Sequence, residues 1–399
     1  MKVLLVSDFM PPVRGGLESH VDALATELDS RGHEVRVATL TVDARPSCSA
    51  VRVESVAAAS ARLPHEFADR PFHPPLPDPV ARRALGRILR EFEPDVVHAH
   101  SWLGVSLPRE RPPVVFTAHD YALICHLRTL LDARGACCSG PKGLGCVRCG
   151  RHRLGTATSL MLTPATTVGR RILRADRVLA VSSTVGDALA PYVRAPIEII
   201  PNFVGVEPAP VRLPEGMPSG PFALYAGDPG VHKGVGDLVS IWSATHPPGL
   251  PLVLATTKPL TGSVPSGVAT VCLDRDQMAT AWRRATIALV PSRWADPCPT
   301  VALEAQRAGR PIVGTNMGGL RDIVRDGVDG FLVAPGDRAA LADRIARLVT
   351  DDGLRARFGT AARERSRGFA AETVVARVVD VYGDVVRRRG ALAGSSVAP

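Results

Sequence analysis

The chain has 399 residues, 45% of them hydrophobic and 22% charged. That composition excludes collagen-like, disordered and membrane-embedded classes, and the length suffices for two domains of ordinary size. The apolar run at the N-terminus stops at Asp8, too short for a secretory signal, and no stretch approaches the roughly 20 apolar residues of a spanning helix, so a cytoplasmic location is expected. Net charge is +9, and the segment from Arg128 to Arg177 holds ten Lys and Arg against two acids, so the basicity is a local patch. Such a patch holds nucleic acid, anionic headgroups or a phosphorylated substrate by the same Coulombic attraction.

Short apolar runs alternate with amphipathic stretches, the pattern of parallel strands covered on both faces by crossover helices. In chain order the strands fall at Lys2 to Ser7, Glu34 to Leu40, Asp95 to His100, Val114 to Ala118, Arg177 to Ser182 and Ile197 to Pro201. Helices fit between them, among them Leu17 to Arg31 and Pro79 to Phe92. A Pro-rich stretch without periodicity, Asn202 to Pro221, reads as a linker. A second α/β series follows, with strands at Phe222 to Ala226, Leu252 to Thr256, Ile287 to Pro291, Pro311 to Gly314 and Gly330 to Val333. A helical tail runs from Arg338 to about Arg389, and Gly390 to Pro399 is expected to fray.

Two doubly wound sheets leave a cleft between them, and open α/β sheets bind ligands beyond the carboxyl ends of their strands. The loop after the strand ending at Pro291 leads into a helix beginning at about Pro299, where a missing N–H costs nothing. The free amides near Thr300 and Val301 favour a phosphate. Asp296 precedes that terminus and Glu304 lies a little over one turn inside it. Carboxylates flanking a phosphate site avoid repelling it if vicinal hydroxyls occupy them, and sugar and ribose rings supply these; an acid stabilising the helix dipole and a solvated Glu is the competing reading.

The Gly-rich loop from Gly227 to Gly234 carries Lys233, one of only four lysines, and would meet a diphosphate as a point charge. Gly15 and Gly16 open a helix at the end of the first strand, and His119 ends another.

The combination of Gly15-Gly16-Leu17-Glu18, Asp95 to His100, Thr117-Ala118-His119-Asp120, Gly227 through Gly234, Asp296 followed eight residues later by Glu304, and Gly318 through Val333 resembles the group-1 (family 4) retaining glycosyltransferases of GT-B architecture, over essentially the whole chain. The resemblance implies α/β architecture with two Rossmann-like domains whose parallel sheets face each other across a cleft. Residues 1–202 would bind the acceptor, with a Cys-rich insert at about 125–152. Residues 203–375 would bind the nucleotide sugar, and 376–399 would form a C-terminal helix and tail packing back on the first domain.

By position, the resemblance gives Glu304 the ribose diol, Asp296 the hydroxyls of the transferred sugar, and His119 a place near the anomeric centre. Lys233, Gly227, Pro299 and the Thr300 and Val301 amides would hold the diphosphate, which Gly16 approaches from the other domain. The implied reaction transfers a hexose-type sugar from a nucleoside-diphosphate sugar to a glycan, lipid-linked or secondary-metabolite acceptor. Three positions depart from the family: Asp296 and Asp322 stand where Glu is usual, and Asp228 stands where Arg is usual beside the diphosphate. His232 or Arg293 would be the cation that compensates. Asp228 motivates an alternative reading as a catalytically weakened nucleotide-sugar-binding module. No catalytic metal is expected, because Asp274-Arg275-Asp276 follows a strand and precedes a helix that it would cap.

Cys125, Cys138, Cys146 and Cys149 are separated by twelve, seven and two residues, with Cys137 an alternative to Cys138 and His126 and His152 nearby. The tight Cys146-to-Cys149 turn and the Gly-rich stretch before it point to a structural tetrahedral thiolate zinc, with free thiols or an iron–sulfur cluster as alternatives. The basic segment overlaps this cluster. Nucleic-acid binding is the rival function, but interleaved aromatics and a recognition helix are missing. An anionic acceptor or the inner membrane leaflet fits better, with Leu160, Met161, Leu162 and Ile172 as an interfacial face within Gly155 to Leu173, beside the reading as a solvated Arg-rich surface.

Overall fold

Runs such as Val3-Leu4-Leu5-Val6 are apolar at every position, as suits a strand covered on both faces, and all four side chains are fully buried. The computed structural model describes residues 1–13, 15–62, 73–205, 208–245, 249–256 and 264–395. The chain forms two units, Met1–Asn202 with Ala371–Pro399, and Phe203–Ala370.

The first unit is a seven-stranded sheet of β1 (Lys2–Ser7), β2 (Glu34–Thr39), β3 (Arg52–Ser55), β4 (Val96–Ala99), β5 (Val114–Ala118), β6 (Arg177–Ala180) and β7 (Ile197–Ile199), in the order β3-β2-β1-β4-β5-β6-β7. Every pairing is parallel. Its helices are α1 (Gly16–Ser30), α2 (Pro79–Phe92), α3 (Leu144–Leu154), α4 (Thr156–Leu173) and α5 (Ser183–Leu189). On α1 the buried Val21, Leu24, Ala25 and Leu28 recur at helical spacing. On α2 the Asp78 side chain accepts the Val80 and Ala81 amides, with Pro79 at the first position.

The second unit repeats the plan with β8 (Ala223–Gly227), β9 (Leu252–Thr256), β10 (Val268–Val271), β11 (Ile287–Val290), β12 (Ile312–Thr315) and β13 (Gly330–Val333), again all parallel, in the order β10-β9-β8-β11-β12-β13. Its helices are α6 (Val235–Thr245), α7 (Arg275–Arg284), α8 (Thr300–Arg307), α9 (Leu320–Ile323), α10 (Arg338–Thr350) and α11 (Asp352–Ser366). Trp242, Leu252, Leu254, Leu289, Val313 and Ile345 lie in its apolar core. Full burial of one such side chain contributes about 1.5–3 kcal/mol relative to exposure.

Both strand orders reverse direction at one point, between β1 and β4 in the first unit and between β8 and β11 in the second. At such a switch point two neighbouring strand-to-helix connections leave in opposite directions and open a crevice at the strands' carboxyl ends.

The edge strands β3 and β10 are missing from the sequence reading because each has four residues, all half-buried or exposed, and so lacks the apolar run that marks the inner strands. The expected single helical tail is three helices. Asp351 ends α10 and caps the Leu354 amide of α11, and α12 (Ala371–Ser395) returns to the first unit. There Tyr382 hydrogen-bonds His98 at 2.6 Å and Asp384 pairs with Arg177 at 2.5 Å. The helix α12 runs on past Gly390 to Ser395.

Candidate active site

In the second unit the switch point brings the β8–α6 and β11–α8 connections together. After Gly227, Asp228 Oδ1 accepts the Gly230 amide at 2.7 Å and the Asp228 carbonyl accepts the Tyr225 hydroxyl at 2.7 Å. A short 3-10 turn, Val231–Lys233, leads to Gly234 at φ 76°, where a Cβ would collide with the Pro291 carbonyl. This close approach joins the loops, and the Arg293 amide donates to the His232 carbonyl at 2.8 Å.

Lys233 Nζ then lies 2.5 Å from Asp296 Oδ2 and 5.3 Å from the centre of the Trp294 ring. Both side chains of the pair are mostly buried, at 24% and 13% exposure, so their attraction is less screened than at a free surface. The backbone of Asp296 is held from beneath by the glycine pair. Gly319 donates its amide to the Asp296 carbonyl at 2.8 Å, and a Cβ on Gly318, at φ 59°, would collide with the Asp296 backbone.

The helix α8 begins at Thr300 with Pro299 as N-cap and no side-chain cap, the Ala302 amide turning back to the Pro299 carbonyl. Ala302, Leu303, Ala305 and Gln306 face the core, which leaves Thr300, Val301 and Glu304 half-buried on the other side. Glu304 Oε2 accepts the indole N–H of Trp282 at 2.9 Å. Burial pushes the Glu304 carboxyl up, opposed by the Trp282 bond and by Arg307 and Arg275.

Neither cation named as a substitute for the family's arginine is simply available. Arg293 forks onto Asp237 at 2.7 and 2.6 Å, and Arg338 bonds the same carboxylate. His232 stacks edge-on against Trp294 with ring centres 5.6 Å apart. Asp274 caps α7 in a reciprocal capping box with Gln277. A cavity of this unit lies at the opposite, amino ends of β8, β11 and β12, beside Arg284, Arg310, Arg355 and Arg363. These guanidiniums are engaged with backbone carbonyls there.

In the first unit, Gly16 starts α1 with no described atom within 4 Å of where a Cβ would sit. His119 follows β5 and belongs to a group of imidazoles. Its Nε2 is 3.0 Å from His100 Nδ1, its ring is 4.9 Å from that of His20, and the Asn202 side chain also bonds it. Burial, then His98 and Arg128, push His119 down to about 3, and burial with His20 does the same for His98. Both rings are therefore neutral near pH 7. A pocket is lined by Asp8, Ser101, His100, His119, Asp120 and Arg128, among others. Asp8 is buried there and accepts the Ser101 hydroxyl and the Leu103 amide, while Arg128 pairs with Asp120 at 2.7 Å.

Among the described residues, the group whose potential metal-ligating atoms all lie within 4.8 Å of one another is His20, His100 and His119. Cys125, Cys138, Cys146 and Cys149 are all free thiols. On α4, Leu162 is buried and not part of an outward face; Leu160, Met161 and Val168 are the exposed apolar residues.

The family model described as Glycosyltransferase Family 4 matches residues 14–207, and the one described as Glycosyl transferases group 1 matches residues 271–365, which include Asp296 through Glu304. The chain belongs to the group-1 glycosyltransferases. This glycosyltransferase is similar to a glycogen synthase of Mycobacterium tuberculosis, 28% identical, with 96% of this chain and 94% of that one covered. It is also similar to a D-inositol 3-phosphate glycosyltransferase of Xylanimonas cellulosilytica, 29% identical, with 94% and 93% covered. Its GT-B fold is shared with a sucrose-phosphate synthase from Thermosynechococcus elongatus, at TM-score 0.73 and 20% identity over 97% of this chain and all of that one. Anabaena HepE in complex with UDP and glucose matches at TM-score 0.67 and 17% identity, over 96% and 99%. No helix among the described residues of the glycosyltransferase is long and apolar enough to cross a membrane.

Sequence reasoning about this glycosyltransferase left out Asp8, His20, Trp282, Trp294 and the support of Asp296 by Gly318. His98 and His100 stood within a quoted motif, two residues apart where one strand ends, a spacing that puts both on the same side of an extended chain. Trp282 and Trp294 carry no spacing signal, since their partners are set by helix packing and the switch point.

Proposed function

We propose that this glycosyltransferase moves a hexose-type sugar from a nucleoside-diphosphate sugar to a glycan, lipid-linked or small-molecule acceptor, with retention at the anomeric carbon. The observation that supports this reading most directly is the pairing of Lys233 with Asp296 beside the uncapped start of α8, with Glu304 half-buried a turn further in. A donor there would set its diphosphate against the Thr300 and Val301 amides and the Lys233 ammonium, near Gly227 and Pro299. Its sugar hydroxyls would meet Asp296 and its ribose diol the oxygen of Glu304 that Trp282 leaves unused. Similarity in fold to a protein crystallised with UDP and glucose is consistent with such a donor.

Bond breaking puts charge on the departing diphosphate. Lys233 and the helix amides take up that charge as it develops, and this stabilises the transition state more than the ground state. No protein nucleophile and no catalytic metal are invoked. Gly16 and His119 serve the same reaction from the first unit, His119 as a neutral hydrogen-bonding group. The basic segment and the exposed Leu160, Met161 and Val168 suit an anionic acceptor or peripheral contact with the cytoplasmic leaflet.

The test is turnover of a panel of nucleoside-diphosphate sugars with wild type and Glu304→Ala. Loss of transfer with an unchanged melting temperature supports the reading, and retained transfer overturns it. Calorimetry on the same panel identifies the catalytically weakened module instead if a donor binds without transfer or hydrolysis.

A further inference from the structure

We propose that Cys125, Cys138, Cys146 and Cys149 hold a structural zinc ion, and that this ion fastens the segment between β5 and α4 so that Arg128 is set against Asp120 beside His119. The first argument is the lack of any other core. From Leu131 to Leu154 the only buried positions are two glycines, Gly140 and Gly150, so no side chain of that stretch is fully buried. A segment with so little apolar burial does not offset its ordering entropy, and small modules of this kind are held by disulfides or metals. All the cysteines here are free.

The second argument is how the fold gathers the thiols. Cys125 follows a turn in which its amide bonds the Tyr121 carbonyl at 2.8 Å. The hairpin that bridges Leu131 to Cys137 carries Cys138 back, its amide on the Leu130 carbonyl at 2.7 Å. On α3, Cys146 and Cys149 are three residues apart and share one face. Cys149 Sγ lies 3.5 Å from the Leu131 carbonyl, which brings the helix onto the hairpin. Gly150, next to Cys149, sits so close to His126, the neighbour of Cys125, that a Cβ there would collide with the imidazole. The adjacent Cys137 is exposed, whereas the other four are half-buried.

The third argument is the surroundings of the sulfurs. The Lys142 amide donates to Cys146 Sγ at 3.1 Å, and Cys138 Sγ lies 3.2 Å from the Gly140 carbonyl. Four thiolates with no open position make a structural site, and zinc is the divalent ion that fits a tetrahedral sulfur set. The sulfurs do not form a group within 4.8 Å of one another, whereas Zn–S bonds of about 2.3 Å need sulfurs about 3.8 Å apart, so binding draws them inward.

Arg128 lies inside the loop closed by Cys125 and Cys138 and reaches Asp120 through Nε at 2.8 Å and through its Nη2 at 2.7 Å. Fixing both ends of that loop fixes the guanidinium, which bears on His119 electrostatically.

Elemental analysis of the full-length protein, purified without added metal, should give about one zinc per chain and no iron. Cys138→Ser and Cys149→Ser should lose that zinc, while Cys137→Ser keeps it. Should the serine variants not fold, zinc release from wild type by a thiol-modifying reagent, and a tetrahedral cobalt–thiolate spectrum after exchange, take their place. Chelation should raise hydrogen exchange between Cys125 and Cys138 and leave β8 to β13 unchanged. Zinc in fewer than about one chain in ten, stoichiometric iron, or equal loss in Cys137→Ser and Cys138→Ser would overturn the proposal. Metal content is read independently of sugar transfer, so its failure leaves the proposed reaction untouched.

Discussion

The ammonium of Lys233 and the carboxylate of Asp296 are joined at 2.5 Å, although they lie on different loops sixty-three residues apart. Two groups that the sequence suggested for separate parts of a donor thus hold each other. On the proposed reading the pair pre-positions both: Asp296 keeps the ammonium aimed until a diphosphate shares it. Lys233→Ala should lower kcat by about 10²–10³-fold, the usual cost of removing one donor from a developing anion. Asp296→Asn should lower it as well, and the double variant should be less impaired than the product of the two, because each single change already disables the unit. Steady-state kinetics on the four proteins checks this, and strictly multiplicative losses would show that the two act independently.

Glu304 carries a pH signature. Burial raises its carboxyl above the ordinary 4.5, so the folded protein holds a proton there in a range where the unfolded chain has lost it. Stability should therefore fall as pH rises through that window, and Glu304→Gln, which needs no charge, should be neutral or slightly stabilising above it. Donor binding has the opposite sign, because a protonated acid accepts diol hydrogen bonds poorly. Affinity for the donor should weaken as pH falls through the raised pKa, and in Glu304→Gln that limb should vanish along with most of the affinity. Calorimetric titrations of both proteins across pH 4 to 8 separate the two effects.

Much of this arrangement could be read from residue order. Apolar runs marked the inner strands, Pro299 marked the start of α8, and the Asp296-to-Glu304 spacing drew attention to it. What could not be read is set by packing across strands. The strand order that joins the β8 and β11 loops leaves no trace in either loop. The Trp282 bond to Glu304 depends on how α7 lies against α8. The place of Asp228 is a similar case: the sequence shows an anion where the family has a cation, and only the fold reveals that this carboxylate closes a turn by accepting the Gly230 amide.

That turn makes a sharp test of what the charge does. Asn at position 228 retains an oxygen to accept the Gly230 amide, so it should preserve the turn and the melting temperature. It removes a negative charge close to the proposed diphosphate. Asp228→Asn should therefore tighten donor binding by about three- to tenfold, the range expected for relieving one partly screened like-charge contact. Unchanged affinity in low salt would place the diphosphate away from this loop.

The imidazoles of the first unit should make it acid-sensitive. His98 and His119 are held at about 3 by burial and by their charged or ring neighbours, and burial likewise lowers His20 and His100. Below the ordinary value near 6.5 the unfolded chain takes up protons that the folded one refuses. Stability should fall as pH drops from about 6.5 toward 3, by up to about 1.4 kcal/mol per pH unit for each imidazole. Urea unfolding followed by a probe in the first unit should show this slope. His98→Gln should lessen it, despite losing part of the contact with Tyr382 and Thr117.

Gly16 separates a structural glycine from a functional one. Its backbone is helical and no described atom occupies the space a Cβ would take, so neither conformation nor packing within the described structure requires glycine. Alanine there should leave the melting temperature unchanged or raise it, since alanine is favoured over glycine in a helix by up to about 1 kcal/mol. If the space is kept for a diphosphate, Gly16→Ala should nevertheless reduce turnover by about tenfold or more, chiefly through a weaker interaction with the donor, and Gly16→Val further still. A gain in stability with full activity would mean that the donor never approaches the start of α1, and the role proposed for Gly16 would have to be abandoned while those of Lys233, Asp296 and Glu304 stood.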